Sequence, residues 1–347
     1  ILGGITMGNL TSVLAQAKAL SEQEQQELLT QLEEYLVLGS QVSQVTKEVK
    51  EMRFSKGRVC CHCNGTNVVR NGKRNGVQRY LCRNCQKSFT DFTNSATYKS
   101  KKSLYKWLKY AKCMLNGYSI RKSAEEVEIN IATSFYWRHK ILNCISEFLG
   151  VGSVEGVVEA DEVFFAYSYK GTKPANMPRP SRKRGKQVKK RGISKEQVCV
   201  GTALDRQGNM IIELLCTGRV TANELERLYS NRIGEHSILC TDSHKSYIQF
   251  AIDMNLDHKR IKRGRHKEDI YHINHINSLH SNLKKWMARF NGVATKYLEN
   301  YLKWHKWINT FSTEKDIVRT KNLIVHGNIA HSYTMVKEFK IRKPIFV

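Results

Sequence analysis

Two aspartates stand where an α/β sheet gathers its ligands. Asp161 lies inside the apolar run 157–165, and Asp242 directly follows the short apolar run 238–241. Hard cations such as Mg2+ take oxygen ligands, and open sheets present these at strand ends. Two divalent ions held in this way serve phosphodiester transfer, one activating the attacking oxygen and the other steadying the leaving oxygen. Glu159 shares a strand face with Asp161 at period two, so pattern alone leaves either as the ligand, whereas Glu162 points the other way. A third contributor is expected from the helix that begins near Asn274. There Leu279, Leu283, Trp286 and Phe290 form the buried stripe, while Asn277, His280, Ser281 and Lys284 share the opposite face. Asn277 and Lys284 lie about two turns apart and project in nearly the same direction. An amide oxygen can ligate a hard metal, and a lysine two turns on can hold a phosphate. A solvated face with a capping asparagine is the alternative, and His280 is the next donor along it.

Four cysteines make a second chemical group. Cys60 and Cys63 form one Cys-x-x-Cys pair and Cys82 and Cys85 another, with 18 residues between. That spacing suits a structural Zn2+, which takes four soft ligands in a tetrahedron and leaves no position open for chemistry. Cys61 and His62 lie between the first two ligands and are possible substitutes, but the outer pair gives the regular spacing. Arg58, Arg70, Lys73, Arg74, Arg79, Arg83 and Lys87 stud the same module. The remaining single cysteines sit in apolar segments and read as small buried hydrophobes in a reducing compartment.

The elements that must position these groups divide the chain of 347 residues into several parts. Residues 1–51 carry three Lys and seven Glu, a net −4 against +26 for the whole, so the remainder holds +30. Ser21 and Glu24 make a capping box, and helical spacing follows up to Gly39, giving a helical appendage or a dimerisation helix. Residues 58–92 read as a zinc ribbon, a small β module. Residues 101–145 read as three helices in helix-turn-helix order. Residues 155–311 read as strand, hairpin, helix, strand, helix, the order of an RNase H-like α/β core. Residues 312–347 are left as a C-terminal tail. The fold class is therefore multidomain, with all-α, small β and α/β parts.

A charge of +26 and a pI near 9.7 point to a polyanionic partner, with nucleic acid the commonest. No apolar run is long enough to span a bilayer and no leader is recognised, so a cytoplasmic, nucleoid-associated protein is expected. The third helix of the 101–145 unit offers Thr133, Ser134, Tyr136, Arg138 and Lys140 to DNA. Between the first strand and the hairpin, residues 170–195 hold eleven Lys+Arg and no acid, with Pro174, Pro178 and Pro180. Such a segment cannot bury itself. Its Arg182, Lys183, Arg184, Lys186, Lys189, Lys190 and Arg191 are expected on the DNA backbone.

These residues carry a resemblance. The two Cys-x-x-Cys pairs, Ser119–Ala124, Phe135–Lys140, Glu159-Ala160-Asp161-Glu162, Thr241-Asp242, Asn277-Ser278-Leu279-His280 and Gly292–Leu298 together resemble the zinc-ribbon transposases of bacterial insertion sequences, a branch of the DDE superfamily. The resemblance covers roughly residues 58–311. It implies that Asp161, Asp242 and Asn277 are the catalytic triad holding Mg2+ or Mn2+, with Lys284 the trailing lysine. Asn277 stands where the superfamily has Glu, at a spacing of 34 residues from Asp242, and an uncharged ligand weakens a metal site. The implied reaction is cleavage at terminal inverted repeats followed by joining of the 3′-hydroxyl to target DNA. The implied partners are double-stranded DNA and further copies of the chain, as a homodimer or higher oligomer. A transposase-derived DNA-binding regulator and a metal-dependent nuclease are the rival readings.

Overall fold

The computed structural model describes residues 7–74, 77–172, 175, 177, 192–262, 267–343 and 346. The basic residues Arg182, Lys183, Arg184, Lys186, Lys189, Lys190 and Arg191 lie outside them.

Two helices open the chain, α1 (Met7–Lys18) and α2 (Glu22–Arg53). The capping box starts α2 as its residues require: Ser21 N donates to Glu24 Oε2 at 2.9 Å, and Glu24 N donates to Ser21 Oγ at 3.4 Å. The helix does not stop at Gly39 but runs on to Arg53. A mid-helix glycine costs only about 1 kcal/mol. Val45 and Val49 bury fully beyond it, with Leu38 just before it, against helices from far down the chain, which outweighs that cost.

Three short strands, β1 (Val68–Arg74), β2 (Val77–Cys82) and β3 (Ser88–Thr90), form an antiparallel sheet in sequence order. Next come α3 (Leu104–Leu115), α4 (Ile120–Val127) and α5 (Ile131–Leu149), each N-capped by a polar side chain: Ser103, Ser119 and Asn130. Gly117, at φ +68°, makes the left-handed turn between α3 and α4. Trp107 of α3 stacks on Trp137 of α5, with ring centroids 3.8 Å apart.

The largest sheet takes β4 (Val157–Ala166), β5 (Gln197–Asp205), β6 (Met210–Thr217), β7 (Ile238–Thr241) and β8 (Asp257–Arg260). Their order is β6-β5-β4-β7-β8. The first three form an antiparallel meander, and β7 and β8 run parallel to β4. Alternation along β4 sends Val158 and Ala160 to one face, where α6 (Ala222–Tyr229) and α7 (Lys245–Asp253) cover them. Val163 and Phe165 go to the other face, under α8 (Asn274–Ala288) and α9 (Leu298–Thr310). A two-stranded ribbon, β9 (Lys267–Glu268) and β10 (Tyr271–His272), leads into α8.

The segment after Phe311 is helical rather than a tail: α10 (Asp316–Ile329) and α11 (Val336–Ile341). α10 packs on α2, α3 and α5, burying Leu323, Ile324 and Val325. Asn328 Oδ1 accepts from Ser95 Oγ at 2.7 Å and Thr97 Oγ1 at 2.6 Å, tying the end of α10 to the stretch after β3. One continuous apolar cluster therefore joins α2, α3, α5, the sheet, α8, α9 and α10. The helical unit at 101–145 and the α/β unit are distinct in sequence but share a core.

That core holds neutral histidines. Burial lowers the proton affinity of His305 and His326 to pKa values of about 4, against about 6.5 in an unfolded chain. Between those values the unfolded chain binds more protons than the folded one, so stability falls as pH drops from 6.5 toward 4. Followed by NMR, the ring resonances of His305 and His326 should titrate near pH 4. Titration near the ordinary value of about 6.5 would show that these rings are solvated.

Candidate active site

The parallel pairing of β4 with β7 brings the two aspartates together. Its register matches Val157 with Ile238, Val158 with Leu239 and Glu159 with Cys240. Continued two residues, it sets Asp242 opposite Asp161. Asp161 is half-buried and Asp242 exposed. Burial, reinforced by the charge of Asp242, raises the Asp161 pKa to about 6, against the lowering effect of the Glu162 backbone hydrogen bond and Lys284. Asp161 Oδ1 accepts from Glu162 N at 2.8 Å, and Asp242 Oδ1 accepts from His244 N at 2.9 Å. A half-buried carboxylate with a second, exposed one beside it makes a site that a hard cation would stabilise, so the donor set fits the ion it is expected to hold.

α8 lies across this pair. His280 is buried, with Nδ1 3.6 Å from Asp161 Oδ2 and Nε2 2.7 Å from Thr202 Oγ1. Thr202 Oγ1 in turn donates to the main-chain oxygen of Asp161 at 2.7 Å. The alternative of a wholly solvated helix face therefore fails at its middle, which is covered, and burial lowers the His280 pKa to about 4, helped by Lys284. Asn277 and Lys284 are exposed and flank His280 by about one turn on either side. Lys284 also lines a cleft of about 600 Å3 with Phe165, Tyr167, Tyr169, Lys170 and Asn291.

Glu159, which pattern alone left as a possible ligand in place of Asp161, does something else. Its carboxylate is buried and accepts from Ile276 N at 3.0 Å, so it caps the exposed amides at the start of α8. Arg206 Nη1 lies 2.8 Å from its Oε1, with His272 Nδ1 at 3.2 Å and His275 Nδ1 at 3.0 Å from the same oxygen. Glu159, His272 and His275 are close enough to hold a metal, but Arg206 already supplies the cation. Sequence reasoning missed this role. The available signal was a glutamate on the Asp161 face together with the His272-x-x-His275 spacing at the helix start. Glu162 points away, as expected, toward the α7 side. Burial there, with Asp161 adjacent, raises its pKa to about 8.

The four cysteines of the Cys-x-x-Cys pairs gather as their spacing requires, every sulfur within 4.8 Å of the others. The Cys60–Cys85 and Cys63–Cys82 sulfur pairs are both 3.6 Å apart. A tetrahedron with Zn–S bonds of about 2.3 Å has edges of roughly 3.8 Å, so the group is fit to hold a zinc ion.

Two of the five positions offered to DNA on α5 are corrected. Ser134 and Arg138 are fully buried. Tyr110 Oη packs 3.0 Å from Ser134 Oγ, and Arg138 Nη2 donates to Tyr118 O at 2.7 Å while its guanidinium lies over Trp304. The polar types suggested a reading face, but packing against α3, α4 and α9 uses these two internally. Thr133, Tyr136 and Lys140 are partly exposed. No described helix is long and apolar enough to cross a membrane.

Residues 153–308 match the family model of the ISXO2-like transposase domain, a span that includes Asp161, Asp242, Asn277 and Lys284. The chain is 26% identical over 257 residues to an uncharacterized protein in transposable element ISH50 of Halobacterium salinarum, covering 73% of this chain and 85% of that protein. Two solved structures also align: a pre-cleavage Mos1 transpososome, at 11% identity over 65% of this chain and 79% of that one, and the Mos1 mariner paired end complex with Mn, at 12% over 63% and 78%. Both have a TM-score of 0.19. Residues 153–308, the segment carrying the aspartate pair, are thus similar to the ISXO2-like transposase domain.

Because Glu159 is buried and anchors α8, Arg206→Ala should leave an uncompensated charge and cost roughly 3 kcal/mol of stability, read by denaturant unfolding. An unchanged midpoint would show that the ion pair does not hold the helix.

Proposed function

We propose that this chain is a DNA transposase that cleaves the ends of its element and joins them to target DNA. The aspartate pair set opposite one another by the β4–β7 register carries the reading. The strand order, an antiparallel meander followed by two parallel strands with a carboxylate on the first strand and another at the end of the fourth, supports an RNase H-like core. Mg2+ or Mn2+ held by Asp161, Asp242 and Asn277 would activate the attacking oxygen and neutralise charge on the phosphate. In the first step water attacks the phosphate at the element's end, a P–O bond to its oxygen forms, and the bond to the 3′-oxygen breaks to free a 3′-hydroxyl. In the second step that hydroxyl attacks a target phosphate in line and the target's own 3′-oxygen leaves. The chain's part would be placement: ionised Asp161 would serve as a ligand, and Lys284 would hold a phosphate oxygen beside the cleft.

Zinc on Cys60, Cys63, Cys82 and Cys85 would hold the ribbon. The ribbon and the α3–α5 unit would bind inverted repeats, with Thr133, Tyr136, Lys140 and the exposed Arg121 and Lys122 of α4 at the backbone. The basic residues at 182–191 would add sequence-independent phosphate contacts. Two or more copies would pair two ends.

The test is cleavage and strand transfer by purified protein on labelled inverted-repeat DNA with Mg2+ or Mn2+. Asp161→Ala and Asp242→Ala should abolish both steps and leave DNA binding nearly intact. Asn277→Asp should keep some activity and Asn277→Ala should lose it. Activity retained in either Asp variant would refute the assignment. Binding without turnover in the native chain would favour the DNA-binding regulator that the uncharged Asn277 raises. Zinc analysis provides a separate check. One zinc per chain is expected, with DNA affinity lost in the Cys82→Ser, Cys85→Ser double variant, and a zinc-free folded protein would contradict the ribbon.

A further inference from the structure

The hydrogen bonds around Asp161 fix the tautomer of His280. Thr202 Oγ1 donates its one proton to the main-chain oxygen of Asp161 at 2.7 Å, an atom that can only accept. The His280 Nε2 that lies 2.7 Å from the same hydroxyl must therefore be the donor in that contact. In the neutral ring Nδ1 then carries the lone pair, and it faces Asp161 Oδ2 at 3.6 Å. The other carboxylate oxygen is already held by Glu162 N at 2.8 Å, so Oδ2 is the oxygen left for a ligand. Two acceptors face one another in a buried setting, which is costly unless a cation lies between them. A separation of 3.6 Å can be spanned by an ion about 2.1 Å from each donor. The hydrogen bond from Nε2 is also the kind of outer contact that orients a metal-bound imidazole.

We infer that His280 is an imidazole ligand of the metal held by Asp161, and that the site on this account prefers Mn2+ or another transition ion to Mg2+. The inference rests on the reading of Asp161 and Asp242 as the metal-binding pair. Imidazole nitrogen suits transition metals, whereas Mg2+ favours an all-oxygen shell. It also gives the weak donor Asn277 a strong neighbour one turn along α8, so an asparagine at that position need not impoverish the site.

Mn2+ is titrated into the zinc-loaded full chain, with free Mn2+ followed by electron paramagnetic resonance and the bound ion examined by pulsed measurement of 14N coupling. The wild-type chain should show coupling to a directly bound nitrogen. His280→Phe, which keeps the ring's volume, should lose it. Removing even an outer contact of a metal site costs about 10- to 100-fold in affinity, so losing a ligand should weaken Mn2+ binding at least about 10-fold and Mg2+ binding much less. Mn2+ binding that Asp161→Asn abolishes, but that shows no 14N coupling in the wild type or keeps it in His280→Phe, would overturn His280 as ligand and leave the aspartate site standing. Mn2+ binding indifferent to Asp161→Asn would overturn both. Should His280→Phe fail to fold, the wild-type spectrum decides alone.

Discussion

Two carboxylates held side by side, Asp161 half-buried and Asp242 exposed, are the constraint to which the rest of the molecule answers. Asp161 stands on β4 and Asp242 directly after the adjacent parallel strand β7, and the charge of Asp242 adds to burial in making Asp161 harder to ionise. Neither position can be moved singly, because the register of β4 with β7 sets both. The sheet tolerates the pair by surrounding it with specific contacts. A backbone amide fixes each carboxylate's orientation, Lys284 offsets the charge of Asp161, and His280 closes the buried side. The strain in the site is electrostatic and is of the kind a divalent ion relieves.

The helix that completes the site is held from its first turn. Glu159 sits two residues before Asp161 on the same strand face and reaches the amide of Ile276. The strand that supplies one aspartate thus also anchors the helix that carries Asn277, His280 and Lys284. Arg206, from the turn after β5, balances the anchor's charge. Further out, α10 seals α2, α3 and α5 into the same apolar cluster that underlies α8 and α9. The helices assigned to DNA therefore rest directly on the body that carries the aspartates, rather than hanging from a linker.

What the sequence made legible was local. The capping box of α2 needs only Ser21 and Glu24, and the strand positions of Asp161 and Asp242 follow from short apolar runs. The gathering of four thiols follows from two Cys-x-x-Cys spacings. What it hid depends on contacts distant in the chain. α2 passes Gly39 because Val45 and Val49 beyond it find partners more than 50 residues away. Arg138 is buried because Trp304 and the carbonyl of Tyr118 receive it. α10 looks like a tail until its apolar side meets α3 and α5. His280 shares a polar helix face with its neighbours, and only the strand pair Asp161–Thr202 shows that this face is covered. Glu159 could not be told from Asp161 by alternation, since both point to the same face.

The central claim is that the aspartate pair is where the metal goes. Anomalous diffraction from crystals of the zinc-loaded protein soaked in Mn2+ tests it most directly. The account predicts a manganese peak within ligand distance of Asp161 and Asp242. A peak at Glu159, His272 and His275 instead, or none near the aspartates, would contradict it.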